Sequence, residues 1–185
     1  MALATLTLPY GMRNVYLYAM DSTTEALSTG VVLPAMQTFS FSEAEDFEEL
    51  RGDDKVIAVR GKGPKVEWTL ESGGISLAAY ALLSGGTNTL SGTTPNQKLV
   101  HLKKTDQVRP YFRAEGQAIS DSGGDFHAKV FKCRATDTLE GEMADGTFWM
   151  TSLKGTGIGD LNNNLYEFTA NETAVAVPST PPASP

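Results

Sequence analysis

Apolar and polar positions alternate along much of this chain, and the period of two predicts strands. In residues 13–20, Val15, Leu17 and Ala19 share one side of an extended backbone, and Tyr16, Tyr18 and Met20 the other. Residues 35–41 place Gln37, Phe39 and Phe41 together. Residues 65–71 turn Val66, Trp68 and Leu70 one way and Lys65, Glu67, Thr69 and Glu71 the other. Extended segments are also expected at 55–60, 98–103, 108–119, 125–136, 146–154 and 165–169. In 125–136, Phe126, Ala128 and Val130 oppose His127, Lys129 and Phe131. Gly61-Lys62-Gly63-Pro64 reads as a hairpin-like connection between two strands, and residues 120–125 as a turn.

One segment breaks the pattern. Residues 75–83 are apolar nearly all round, which predicts a helix, with Ser72 or Gly74 at its start and Gly85 as its stop. A helix without a polar face is buried on more than one side, which points to contacts with a neighbouring copy through Leu77, Tyr80 and Leu83. About eight strands joined by short turns, with one helix, give a mainly β fold: a β-sandwich or curled antiparallel sheet with one flanking helix. The expected organisation is an N-terminal arm at 1–12, a sandwich domain at 13–170 with a protruding acidic arm at about 42–65, and a disordered Pro/Ser-rich tail at 171–185.

The charge pattern singles out that arm. Glu43, Glu45, Asp46, Glu48, Glu49, Asp53 and Asp54 stand against Arg51 alone, and Lys55, Arg60, Lys62 and Lys65 follow at once. Phe47 and Leu50 lie inside the acidic run, three apart, so a helical turn is possible there; large apolar residues in such a loop need somewhere to bury. A solvated loop is the plain alternative. A calcium loop is the third reading, but the alternating Asp/Asn pattern with its Gly and closing Glu is missing. An acidic arm meeting the basic turn of another copy makes a head-to-tail contact, the kind that builds rings or filaments.

Composition sets further bounds. The chain has 185 residues, 41% of them hydrophobic, and a net charge of −7. One domain with a proper core is expected, and a tight grip on nucleic acid is not, because that needs a cationic surface. Cys133 is the only cysteine and excludes an intrachain disulfide. No signal peptide and no membrane span are read. His101 and His127 are the only histidines, and both fall in predicted strands. They and Cys133 make a poor zinc set and no nucleophile–base pair. The run from Gly155 to Asp160 lacks the spacing of a dinucleotide loop and reads as a flexible strand end. Trp68 and Trp149 read as core. No catalytic residue, metal or cofactor is assigned, and an enzyme is not expected.

Residues 47–58, the Gly61-Lys62-Gly63-Pro64 step and the strand-to-helix join at 68–77 together resemble the central segment of the major tail (tail tube) proteins of long-tailed siphophages, above all those of actinobacteria. The likeness extends loosely over 13–160; larger members carry an appended Ig-like domain that has no counterpart here. The resemblance implies a structural virion protein in the phage tail, made in the host cytoplasm. Six copies form a ring and rings stack into a tube that conducts DNA. It implies that Glu45, Asp46, Phe47, Glu48, Glu49, Leu50, Arg51, Asp53, Asp54 and Lys62 serve ring stacking, with Glu67 and Glu71 as candidates for the lumen wall. Its partners are its own copies, a tape-measure protein and tail terminator and tip proteins, with no membrane and no specific DNA contacts. The alternatives are the tube of a contractile injection or secretion machine, or a monomeric β-sandwich binding module.

Overall fold

The computed structural model describes residues 8–33, 35–74, 76–121, 123–139, 145–146 and 150–181. The expectations for residues 1–7 of the N-terminal arm, for Ile75, for Trp149 and for the last residues of the tail lie outside these. The strands are β1 (Pro9–Ala19), β2 (Val31–Val32), β3 (Met36–Gly52), β4 (Lys55–Gly73), β5 (Thr87–Ser91), β6 (Lys98–Leu102), β7 (Phe112–Ser120), β8 (Asp125–Ala135), β9 (Met150–Ile158) and β10 (Tyr166–Asn171); α1 (Leu77–Ser84) lies between β4 and β5. The fold is mainly β with one helix.

Eight strands form one antiparallel sheet in the order β2-β1-β7-β8-β9-β4-β3, with β10 beside the first half of β8. The pair β5-β6 stands apart as a small hairpin. The large sheet curls until Phe39 of β3 lies over Gly116 of β7 and close to Val15 of β1. A side chain at position 116 would collide with the Phe39 ring. The alternation read in the sequence fills the enclosed space: Val15, Leu17, Val66, Trp68, Leu70, Ala114, Val130 and Cys133 form the core, and Trp68 meets Phe112 edge-on at 5.4 Å between ring centres.

The helix starts two residues later than expected, at Leu77. Ser76, not Ser72 or Gly74, is the N-cap, its hydroxyl accepting from the Ala79 amide, and Gly85 closes the far end at φ 76°. Ala79, Leu82 and Leu83 pack into the core, while Tyr80 meets His101 of β6 edge-on at 5.2 Å. The chain's own sheet and its β5-β6 hairpin therefore cover most of the helix. Among the described residues no helix is long and apolar enough to cross a membrane.

Two expectations about chain path are corrected. No helical turn forms around Phe47 and Leu50: β3 runs unbroken as a strand from Met36 to Gly52. Nor does the chain turn at Gly61-Lys62-Gly63-Pro64. β4 passes straight through it, and the register shifts there by one residue, between Glu45↔Pro64 and Phe47↔Gly61. The extra residue is a bulge, which glycine at φ 100° (Gly63) accommodates. The turn lies instead at Asp53-Asp54, between the paired Gly52 and Lys55. Both aspartates take left-handed φ, 49° and 61°, as a two-residue hairpin loop with the native twist requires and as Asp tolerates.

The candidate assembly surface and the strapped polar cluster

The β3-β4 hairpin has two different halves. Its inner half belongs to the sheet: β4 pairs with β9 from Val66↔Gly157 to Gly73↔Met150, and Phe39 and Phe41 pack against the core. Past Val66, among the described residues, β4 has only β3 beside it, so the outer half leaves the sheet as a two-stranded arm. Two-stranded ribbons are marginal in water unless something covers them. This one exposes Phe47 (63%), Leu50 (61%), Val56 (49%), Ile57 (66%) and Val59 (58%). Single exposed apolar residues are ordinary; five on one projecting ribbon make it a candidate contact surface.

The arm's charges are sorted by strand. The outer half of β3 and the turn carry the acids, and the outer half of β4 carries Lys55, Arg60, Lys62 and Lys65 with no acid among them. Within the arm Lys62 Nζ lies 3.4 Å from Glu48, and the Arg51 guanidinium lies 2.7 Å from Glu49. All four side chains are well exposed, so these pairs contribute little, roughly 0–1 kcal/mol each. Glu43, at the base, accepts a 2.8 Å hydrogen bond from the Tyr166 hydroxyl, which raises the phenol's pKa.

The other sequence-predicted positions fall elsewhere. Glu67 and Glu71 lie on the face of β4 turned away from Trp68; Glu67 is 3.4 Å from Lys65, and Glu71 accepts from the Thr38 hydroxyl at 2.9 Å. Leu83 is 1% exposed. It is committed to this chain's own core and offers nothing to a neighbour, which corrects its assignment as a contact between copies. Leu77 and Tyr80 are half-buried. Leu90, Leu99, Val100 and Leu102 on β5-β6 form a second exposed apolar area that the sequence reading did not mark.

A further cluster was not foreseen at all. Arg113, Glu115 and Gln117 alternate along β7 as a solvent-facing row would, yet none is more than 6% exposed. For Gln117 the reason is the C-terminal segment, whose Val175 carbonyl it meets; Glu115 lies beside His127, and Arg113 over the Phe131 ring and beside Glu25 and Leu161. Expected to be disordered, residues 172–181 run instead as a strap across this second face of the sheet. Val177 is 3% exposed; the Tyr18 hydroxyl donates to the Pro178 carbonyl at 2.6 Å and the Gly30 amide to the Ser179 carbonyl at 2.6 Å. Burial, then Glu115 and Tyr16, push the Tyr18 phenol far up, which keeps it a donor.

Asp125, fully buried at the start of β8, is the centre of this cluster. It accepts from Asn171 Nδ2 (2.8 Å), Gln117 Nε2 (2.6 Å), the Val175 amide (2.9 Å) and His127 Nε2 (3.0 Å). Burial alone would raise its carboxyl pKa, but these hydrogen bonds outweigh it and hold the group below its ordinary value of 3.8. His127 Nδ1 lies 3.4 Å from Glu115, so this histidine is a satisfied structural residue. Among the described residues no group of His, Cys, Asp and Glu is arranged to hold a metal. Cys133 is fully buried, and burial pushes its thiol pKa far above the ordinary value, as expected of a small core residue. The Gly155-to-Gly159 run is strand through Ile158.

Scanned against models of known families and against curated proteins, the chain gives no match.

Proposed function

We propose that this chain is a structural subunit of a tail tube: rings of six copies that stack into the conduit through which a long-tailed phage ejects its DNA. The observation that carries the reading is the projecting β3-β4 arm. An exposed ribbon with five large apolar side chains, anchored to a well-packed sheet, makes physical sense in a protein that completes its fold against other copies. The mainly β architecture with one flanking helix and the resemblance of residues 47–58 and 68–77 support the same role.

The dimensions and charge agree with it. Six copies giving about four strands each close a barrel of roughly 48 Å backbone diameter, for a strand spacing of ~4.8 Å and a tilt of ~40°. Side chains leave a lumen of about 38 Å, wide enough for a duplex of about 20 Å width and its solvent. A net charge of −7 disfavours the counterion-releasing phosphate contacts that would trap DNA in transit. In this role the chain resides in the virion tail, meets its own copies, a tape-measure protein and terminator and tip proteins, and performs no catalysis.

The test is sedimentation of the full chain beside an arm-shortened variant in which residues 45–64 are replaced by an Asn-Gly turn joining Ala44 to Lys65, which are paired in the native hairpin. The full chain is expected to form rings and longer species as concentration rises, and the variant to stay monomeric with an unchanged thermal unfolding profile. A full chain that remains monomeric at every concentration, including with preformed seeds, overturns the proposal.

A further inference from the structure

Between Glu172 and Thr180 the C-terminal strap buries one side chain, that of Val177 (3% exposed); every other residue of the stretch is exposed. Its backbone is nonetheless held along its length. The Val175 amide donates to Asp125, and the Val175 carbonyl accepts from Gln117 Nε2 at 3.0 Å and lies 2.9 Å from His127 Nε2. The Pro178 carbonyl accepts from the Tyr18 hydroxyl and the Ser179 carbonyl from the Gly30 amide. These partners come from β8, β7, β1 and the residue before β2. Asp125, Gln117, His127 and Tyr18 are each more than nine-tenths buried, so they form a fixed floor rather than a set of mobile surface groups.

A groove of this kind recognises peptides. Main-chain hydrogen bonds give affinity for an extended chain, and a socket for one side chain gives selectivity. Val177 stands before Pro178, which confines it to extended backbone, so the segment gives up little freedom on docking. The strap is also weakly anchored as a unit. Undocking it uncovers one apolar side chain, and water can meet its freed carbonyls, which is the profile of a segment that opens locally while the sheet stays folded. We propose that the groove is a binding site for an extended Val-Xaa-Val-Pro segment of another polypeptide, and that the strap is its built-in occupant, closing it until such a segment takes its place. The incoming segment makes the strap's own contacts. Its first valine bonds Asp125, Gln117 and His127 through the backbone, its second fills the Val177 socket, and the carbonyl of its proline takes the Tyr18 hydroxyl. A charged residue in place of the second valine is excluded by the cost of burying it.

The test uses the full chain carrying Val177→Asp, which unseats the strap and leaves every floor residue in place. A fluorescently labelled peptide with the sequence of residues 171–181 is titrated in and followed by anisotropy. Saturable binding is expected, and binding about tenfold or more weaker in the wild type, whose groove is open for only a fraction of the time. Affinity should fall several-fold when Tyr18→Phe is added to the variant, and binding should vanish when the peptide itself carries Val177→Asp. A folded Val177→Asp protein that does not take the peptide, or that takes both peptides equally, overturns the proposal. Hydrogen exchange of the wild type checks the opening without any substitution. The Gly30 amide, bonded to the strap, should exchange through a local opening that low urea leaves unchanged, and faster than the paired amides of β7 and β8. Exchange of Gly30 only through global unfolding, or loss of the whole sheet in Val177→Asp, shows the strap to be integral to the fold and overturns the proposal as well.

Discussion

Replacing Asp125 with alanine removes the acceptor on which the C-terminal strap is hung. Of its four donors, Gln117 Nε2 and His127 Nε2 each also reach the Val175 carbonyl, at 3.0 and 2.9 Å. They keep a partner as long as the strap stays in place. Asn171 Nδ2 and the Val175 amide lose a charged acceptor, at residues that are themselves only partly covered, Val175 being 54% exposed. A hydrogen bond to a charged group contributes about 1.5–3 kcal/mol, so with two such bonds lost Asp125→Ala is expected to destabilise by roughly 3–4 kcal/mol. That is a large share of the ~5–15 kcal/mol of a typical domain. Urea unfolding of the arm-shortened, monomeric background measures it. Asp125→Asn, which keeps one acceptor oxygen and the shape, should lose about half as much. The effect also has a pH signature. Because the folded carboxyl titrates below its ordinary 3.8, its contribution is complete above the unfolded value and is lost as pH falls through the folded one. The gap between wild type and Asp125→Ala therefore narrows in acid below about pH 4. A loss under 1 kcal/mol at neutral pH, with the strap equally resistant to proteolysis in both proteins, would refute the hydrogen-bond argument.

Two smaller predictions probe the core. A side chain at Gly155 would run into the Arg134 carbonyl and the Trp68 indole, so Gly155→Ala should destabilise by about 1–3 kcal/mol through overpacking, read from the same urea midpoints; a neutral effect would show that β9 does not press on Trp68. Cys133, fully buried, should react with a thiol reagent only on unfolding, so prompt labelling of the native protein would show that the C-terminal end of β8 is open.

The residues that could be placed from sequence are those whose burial is one-sided. Val66, Trp68 and Leu70 alternate with charged neighbours, and each is buried as the alternation implies. The hairpin turn was misplaced because Gly and Pro are the strongest punctuation in a sequence. Here Gly61-Lys62-Gly63-Pro64 serves a bulge, while the turn falls to Asp53-Asp54, turn-forming residues whose signal is masked by the acidic run they sit in. The strap was misread for a related reason. A Pro/Ser-rich composition describes side chains, whereas residues 175–179 are held largely through their backbone, by the Val175 amide and the carbonyls of Val175, Pro178 and Ser179. Nothing in the sequence reveals that Arg113, Glu115 and Gln117 are covered, because alternation in β7 looks the same whether its polar face meets water or other segments of the chain. Within the arm the acidic run drew attention to Phe47 and Leu50, but Val56, Ile57 and Val59 were read only as strand; their β-branched run beside basic residues was the available signal.

Electron microscopy of the concentrated full-length protein tests the central claim most directly. Self-assembly through the arm predicts six-fold rings and hollow tubes with a lumen of about 38 Å, from the same strand spacing and tilt, with the β3-β4 arms ordered against neighbouring copies. Fields of isolated particles at every concentration and after seeding, with the arms projecting into solvent, would contradict it.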